Sequence, residues 1–182
     1  MHRVCVFAAS REGTGAARDL FAAAARATGE GLARRGWGMV YGGARVGLMG
    51  AAADAALAAG GEVQGVIPSS MVTRELAHGG LTQLHVVDSM HARKARMHEL
   101  SSAFLAIPGG FGTLDELFET LTWSQLGFHG KPVGLLDVDG FWQPLVRWIE
   151  RAVGDGLVAP EHAAAVLVRS DVEAILDLLG PR

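Results

Sequence analysis

The sequence predicts an α/β fold in which a mainly parallel sheet is flanked by helices. Short apolar runs rich in Val and Ile alternate along the chain with longer stretches of helical pattern. This alternation specifies right-handed βαβ units whose parallel strands are covered on both faces. In addition, 182 residues with 49% hydrophobic content are enough for one well-buried domain and too few for two comfortable ones. We therefore expect residues 1–182 to form a single-domain Rossmann-like sandwich.

The individual elements follow from the local hydrophobic pattern. Strands are predicted from apolar runs at 3–8, 38–41, 62–67, 83–87, 103–107, 132–136 and 165–168. Helices are predicted at 16–35, 48–59, 90–102, 114–126, 141–154 and from 170 or 171 to 179. Residues 68–80 form an irregular connection, and a loop of this length at the ligand edge of a parallel sheet predicts a pocket wall.

Composition argues against several kinds of partner and compartment. A net charge of −3 and a pI near 6.1 give no general electrostatic basis for binding nucleic acid. The single cysteine, Cys5, permits no internal disulfide and suits a reducing compartment, so we expect a cytoplasmic protein. Met1 leads directly into a strand pattern without a signal peptide, and no stretch approaches the roughly 18 apolar residues of a membrane span. We expect no membrane partner.

The stretch PGGFGTLDE, residues 108–116, closes an apolar run, turns on three glycines and starts a helix. Glycines let backbone N–H groups approach an anion closely, and a helix N-terminus adds a partial positive charge. The pattern therefore predicts a phosphate loop with Glu116 near the bound group. Thr113 and Glu116 also fit the S/T-x-x-E capping box, a structural arrangement. The residues alone leave both interpretations open.

The first turn, residues 8–15, follows the first predicted strand and lacks the G-x-G-x-x-G spacing of a dinucleotide site. This argues against an NAD or FAD enzyme. Ser10 in this turn either donates to a ligand or satisfies nearby backbone groups.

The second turn, YGGARVGLMG at residues 41–50, again places several glycines between a strand and a helix. It is either a second phosphate cradle or a site of close strand-to-helix packing. It lacks the Lys-Ser/Thr ending of a P-loop, which argues against hydrolysis of nucleoside triphosphates.

The stretch SMHARKARMHEL, residues 89–100, places three cations in the opening turns of a helix, where the macrodipole disfavours them. Ser89 is the expected N-cap. Met90, Arg93, Lys94 and Met97 recur at helical spacing, so the two cations share a face with apolar neighbours. We expect an anionic group to offset them, the alternative being an ordinary solvated face.

The remaining segments carry no evident chemistry. From Phe141 onward, Trp142, Leu145 and Trp148 are expected to be core or interface residues. The seven histidines show no metal-ligand spacing such as H-E-x-x-H, so no metal site is predicted.

Taken together, PGGFGTLDE, YGGARVGLMG and SMHARKARMHEL resemble the LOG (Lonely Guy) family, the cytokinin riboside 5′-monophosphate phosphoribohydrolases. The likeness spans roughly residues 3–155, and the signatures P-G-G-x-G-T-x-x-E and M-x-x-R-K occur in the family's order and spacing. The resemblance implies a homodimer that hydrolyses the N-glycosidic bond of a nucleoside 5′-monophosphate, a cytokinin riboside monophosphate or AMP. The products would be free base and ribose 5-phosphate.

The resemblance also assigns site residues. Arg93 and Glu116 match the family's catalytic pair. The substrate-binding set comprises this pair together with Ser10, Gly43, Glu75, Met90, Lys94, Gly109, Gly110, Phe111, Gly112, Thr113, Leu114, Asp115 and Thr122. The chain departs from the family after the first strand, where Ala8-Ala9-Ser10 replaces a Gly-Ser-Ser-like turn.

The chemistry agrees with this assignment. Cleaving an N-glycosidic bond builds positive charge on the ribose, so a carboxylate such as Glu116 stabilises the transition state and can orient or deprotonate the attacking water. Arg93, which stays protonated, can stabilise charge on the leaving base or position the phosphate.

Two alternatives come from other classes of protein. Relatives with this fold have been labelled lysine decarboxylases, a chemistry that needs pyridoxal phosphate on a lysine, and the chain offers only Lys94 and Lys131. A non-catalytic nucleotide-binding or carrier module could share the phosphate loops without needing Glu116 and Arg93 together. We expect an enzyme with no cofactor. The motifs do not identify the residues around the base.

Overall fold

The computed structural model describes residues 1–72 and 77–181, and it contains one seven-stranded sheet in which every pairing is parallel. The strands are β1 (Arg3–Phe7), β2 (Gly38–Tyr41), β3 (Val63–Pro68), β4 (Gln83–Val87), β5 (Ala103–Ala106), β6 (Val133–Leu136) and β7 (Val166–Arg169). Their order in the sheet is β4-β3-β2-β1-β5-β6-β7. The predicted α/β class with a parallel sheet is confirmed.

Helices connect successive strands. Within the described residues they are α1 (Gly15–Arg34), α2 (Gly47–Ala58), α3 (Ser69–Val72), α4 (Met90–Leu100), α5 (Phe111–Gln125), α6 (Gln143–Gly154), α7 (Pro160–Ala164) and α8 (Val172–Leu179). The short helices α3 and α7 were not predicted, since neither is long enough to show a helical period. The helix predicted from residue 114 begins three residues earlier, a difference that matters for the site.

The core has two halves, one on each face of the sheet. Alternate residues of β1 divide between them, because successive side chains of a strand point to opposite faces. Val4 and Val6 pack with α1, α2 and α8, whereas Cys5 and Phe7 pack with α4 and α5. On the first face, α1 and α2 are in close contact at Gly29, where an added Cβ would overlap the Ala52 carbonyl. The sheet is therefore buried on both sides.

The strand order creates a crevice beside β1. The chain leaves β1 towards β2 on one side, and β5 lies on the other, so the connections after β1 and β5 diverge at the carboxyl edge of the sheet. Ligands of open parallel sheets bind at such a switch point. The glycine-rich loop that follows β5 opens at this place.

Candidate active site

The loop after β5 ends in the N-terminus of α5. Gly110 is the N-cap residue, and the first helical hydrogen bond runs from the Leu114 N–H to the Gly110 carbonyl (3.0 Å). The N–H groups of Phe111, Gly112 and Thr113 precede this bond and have no acceptor within the helix. These three residues line the crevice, so their N–H groups are available to an anion.

The capping-box interpretation of Thr113 and Glu116 is wrong. Thr113 is the third residue of α5 instead of its N-cap, because the helix starts at Phe111. Its hydroxyl is buried and has no hydrogen-bond partner among the described residues. A Cβ on Gly109 would overlap that hydroxyl, so this glycine leaves room for it. A buried hydroxyl without a partner is available to a ligand.

Glu116 is a buried carboxylate in the second turn of α5. Its side chain is 11% exposed, and one oxygen lies 3.8 Å from Nη2 of Arg93. Burial raises the pKa of Glu116 to about 7, against the opposing effect of the Arg93 charge. The carboxylate therefore titrates near neutral pH, as a general base requires.

Arg93 is held rigidly by backbone carbonyls. Its Nε donates to the Val66 carbonyl and its Nη2 to the Gly42 carbonyl, both at 3.2 Å. A Cβ on Gly42 would overlap Nη2, so a side chain at this position would displace the guanidinium. The predicted N-cap of the helix is present, since Ser89 accepts from the Ala92 N–H at 3.1 Å. The guanidinium is fixed before any ligand arrives.

The Lys94 side chain points towards α5, away from Arg93. Its Nζ lies 3.1 Å from an Asp115 oxygen and 2.8 Å from a Glu119 oxygen. Burial lowers the pKa of Lys94, but the two carboxylates outweigh that effect and raise it. The expected anionic offset is thus supplied by α5, and the solvated-face alternative is wrong because Arg93 and Lys94 are both buried.

A cavity of about 580 Å³ occupies the crevice. Of the predicted site residues, the structure brings eight to its lining: Ser10, Arg93, Gly109, Gly110, Phe111, Gly112, Thr113 and Glu116. Six described residues do not line it: Gly43, Met90, Lys94, Leu114, Asp115 and Thr122. Of these, Lys94, Leu114, Asp115 and Thr122 border a separate depression along α5. Glu75 lies outside the described residues.

The glycines of the turn after β2 make close packing contacts, and Ala44, Leu48 and Met49 of the same stretch line the cavity. A phosphate-binding role for this turn stays a prediction. Gly43 adopts a φ of 75° and lies against Ile67 and Leu84. A Cβ on Gly47 would overlap the backbone of Ser10 and Arg11. This close approach sets the loop after β1 at the cavity rim, with the Met49 N–H donating to the Ala9 carbonyl at 3.3 Å. The positive φ of Gly43 and its close neighbours therefore explain why a glycine occupies this position.

Part of the lining was missed by the sequence interpretation. Apolar side chains from three helices and one turn complete the cavity: Phe21, Leu48, Met49, Met71 and Phe141. The sequence analysis assigned no role to Phe141, which lines the cavity, whereas Trp142 is a core residue as expected. Its position in the sequence could have indicated this role, because Phe141 follows β6 and so lies at the same edge of the sheet as the loop after β5.

Neither lysine lines the cavity. Lys94 forms ion pairs with carboxylates of α5. Lys131 donates to the His98 carbonyl at 2.6 Å and lies at the opposite edge of the sheet, where β1, β5 and β6 begin. The described residues contain no group of three or more His, Cys, Asp and Glu side chains that could hold a metal ion. Among the described helices, none is long and apolar enough to cross a membrane.

Solved structures share the fold. A molybdenum cofactor binding protein from Rippkaea orientalis superposes with a TM-score of 0.72 at 24% identity, covering 98% of this chain and 94% of that one. A molybdenum cofactor carrier protein from Chlamydomonas reinhardtii gives 0.72 at 24% identity, with 97% and 95% coverage. At this identity the likeness concerns the fold alone.

Sequence relatives are closer. Residues 49–179 match the family model described as possible lysine decarboxylase. A cytokinin riboside 5′-monophosphate phosphoribohydrolase of Rhodococcoides fascians is 48% identical over 95% of this chain and 86% of its own length. The rice (Oryza sativa subsp. japonica) enzyme LOG, which has the same name, is 44% identical over 91% of this chain and 67% of its own. Because these matches cover most of its length, this chain belongs to the LOG family.

Proposed function

We propose that the protein hydrolyses the N-glycosidic bond of cytokinin riboside 5′-monophosphates, and of AMP, to free base and ribose 5-phosphate. The observation that carries this proposal is a buried carboxylate facing a fixed guanidinium, Glu116 and Arg93, beside the N-terminus of α5. The names of relatives up to 48% identical support the same substrate class.

The proposed phosphate site is the start of α5. Three N–H groups, the Thr113 hydroxyl and the helix dipole converge there and offer hydrogen bonds and partial positive charge to an anion. Gly109 and Gly110 keep side chains away from this edge. A 5′-phosphate bound here brings the attached ribose into the part of the cavity that Glu116 lines.

The proposed reaction is a displacement at the anomeric carbon. Water attacks C1′ as the C1′–N bond breaks, and the bonding electron pair leaves with the base, which takes up a proton. Glu116 accepts a proton from the water and stabilises positive charge on the ribose. Because this role requires the ionised carboxylate, and its pKa is about 7, we expect kcat/KM to rise as the pH rises through that value.

Arg93 has an electrostatic role in this proposal. Its guanidinium stays protonated, so it opposes negative charge on the leaving base or the phosphate without donating a proton. Two backbone carbonyls hold it in place, so little reorganisation is needed during the reaction. We propose no cofactor, since neither lysine lines the cavity to carry pyridoxal phosphate.

The alternative is a non-catalytic nucleotide-binding or carrier module of the same fold. Burial of Glu116 argues against it, because an ionised carboxylate held in this environment costs stability that binding alone does not require. Mass spectrometry after incubation with AMP and N6-isopentenyladenosine 5′-monophosphate decides between the two. The enzyme releases free base, whereas a carrier returns the nucleotide intact.

We also propose a homodimer. Large apolar side chains lie exposed on one side of the molecule: Phe111 is 93% exposed, and Trp148, 54% exposed, packs edge-on against Phe118. Exposed apolar surface of this kind is typical of an interface between subunits. Sedimentation equilibrium should give twice the 19.1 kDa chain mass, and a monomer at micromolar concentration would contradict the proposal.

A further inference from the structure

The turn between β6 and α6, residues 137–142, borders the cavity through Phe141. Phe141 lines the cavity and meets Phe21 of α1 in an edge-to-face contact, with ring centroids 5.4 Å apart and planes at 80°. Helix α1 covers the face of the sheet opposite to α4 and α5. The aromatic pair therefore lies across the cavity from Arg93 and Glu116.

Asp137 builds this turn from its buried carboxylate. One oxygen accepts from the Trp142 N–H at 2.8 Å, and the other accepts from the Gln143 side-chain amide at 2.5 Å. Its own N–H donates to the Arg169 carbonyl at 2.8 Å, which ties the turn to β7. Phe141 therefore precedes Trp142, whose backbone N–H is fixed by the Asp137 carboxylate.

The backbone of the turn is strained. Asp139 has a φ of 53°, and among the described residues it is the one non-glycine residue with a positive φ. Such a conformation costs free energy and persists only where the surroundings enforce it. The Asp137 carboxylate lies at one end of the turn, and at the other the centroid of the buried Trp142 ring lies 4.9 Å from that of Phe141.

The two sides of the cavity offer different chemistry. The side formed by α4 and α5 supplies Arg93, Glu116, the Thr113 hydroxyl and free N–H groups. Phe21 and Phe141 present apolar surface, and Ser10 and Arg11 of the loop after β1 also line the cavity. A ribose 5-phosphate requires the polar side, so the base of a bound nucleotide extends towards the aromatic pair.

We propose that the turn at 137–142 is a specificity element, in which Asp137 positions Phe141 and the Phe21–Phe141 pair contacts an apolar substituent on the base. This inference rests on the proposed function for the identity of the substrate. It adds to that function the residues that contact the apolar group on the base. Phe21 and Phe141 determine specificity, and Asp137 is a positioning residue.

The direct test replaces Phe141 by Ala and compares N6-isopentenyladenosine 5′-monophosphate with AMP. Removing contacts in an apolar pocket changes discrimination by roughly 10-fold to 200-fold. We expect the ratio of kcat/KM values, substituted over unsubstituted, to fall by at least about 10-fold in F141A. Phe128→Ala, at an exposed ring that does not line the cavity, is the matched control and should keep the wild-type ratio. An unchanged ratio in F141A overturns the proposal.

Asp137 is tested with two substitutions. Asp137→Asn keeps an acceptor for the Trp142 N–H and can pair with a flipped Gln143 amide, so it should keep the wild-type ratio. Asp137→Ala removes both bonds and should lower the ratio as F141A does, through a higher KM for the substituted nucleotide. A purely structural role would reduce activity on both nucleotides equally, and that result would reject the positioning role. If D137A does not fold, F141A and D137N carry the test.

A failure of the proposed function is distinguishable from a failure of this inference. If the wild type releases base from neither nucleotide, the hydrolase proposal fails, and calorimetric Kd values for the same two nucleotides replace the kinetic ratio. Wild type that binds the substituted nucleotide more tightly, with the preference lost in F141A, supports the specificity element. Equal preference in both proteins overturns it.

Discussion

Two glycine-rich turns connect a strand to a helix in this molecule, and they do different work. After β5, the helix starts at Phe111, its first N–H groups face the cavity, and the Thr113 hydroxyl has no partner among the described residues. After β2, Gly42 makes room for the Arg93 side chain, and Gly47 makes room for the loop after β1. Glycine content predicts close approach, but only the neighbouring atoms show whether a ligand or the protein itself approaches.

The largest expected effect concerns the helix of the first turn. Glu116→Gln keeps the side chain's size and removes its charge, so folding should persist while hydrolysis collapses. Loss of such stabilisation in a water-poor site is commonly worth about 3 to 4 kcal/mol, or roughly a 10² to 10³-fold drop in turnover. The measurement is base release under saturating nucleotide, with circular dichroism as the folding control.

A near wild-type rate in E116Q would break the comparison between the two turns. Glu116 would then be one more structural residue of α5, and the turn after β5 would differ from the turn after β2 only in what it packs against.

The second effect is the pH dependence of stability. The pKa of Glu116 is raised from 4.5 to about 7 by burial, so below pH 4.5 both folded and unfolded states hold the proton. As the pH rises to 7, the unfolded state releases it first, and unfolding becomes more favourable. The wild type should therefore lose up to on the order of 3 kcal/mol relative to E116Q between pH 5 and pH 8. Urea unfolding at both pH values measures this difference, and parallel stability curves would contradict it.

A third prediction contrasts the turns directly. Thr113→Val removes a hydroxyl at the proposed phosphate site, and a hydrogen bond to a charged group contributes about 1.5 to 3 kcal/mol. We expect KM for the 5′-monophosphate to rise at least roughly 10-fold, with little effect on the bare nucleoside, which has no phosphate to contact the hydroxyl. Gly42→Ala instead displaces Arg93, so it should lower kcat.

The measurement is kcat and KM of T113V and G42A for the 5′-monophosphate under the same conditions. Gly154→Ala, where an added Cβ meets nothing within 4 Å, is the control for a simple glycine-to-alanine change. If G42A raised KM for the monophosphate selectively and T113V did not, the roles of the two turns would have to be exchanged.

The smallest expected effect is that of chelation. Among the described residues, Glu116 is the one carboxylate that lines the cavity, and no group of three or more His, Cys, Asp and Glu side chains could hold a metal ion. Exhaustive treatment with EDTA should leave kcat/KM unchanged. Activity that is lost with EDTA and restored by a divalent metal would show that the anion-binding edge after β5 does not act alone.

Much of this molecule follows from local sequence pattern. Alternating apolar runs and helical stretches determined the α/β class, and the run ending at Ile107 followed by glycines determined the loop and helix after β5. The helical spacing of Arg93 and Lys94 with Met97 predicted that the two cations share a face with apolar neighbours, and in the structure both are buried. These properties depend on periods of 2 and 3.6 residues, which a sequence displays directly.

Contacts between distant elements were decided by the tertiary structure alone. Lys94 pairs with α5 and so leaves the cavity, whereas its neighbour Arg93 points into it, because adjacent positions of a helix face about 100° apart. Phe21 and Phe141 are 120 residues apart in the sequence and meet only because β6 lies next to β5 in the sheet. Strand order sets these meetings, and it is fixed by the packing of the whole sheet, not by the composition of any one segment.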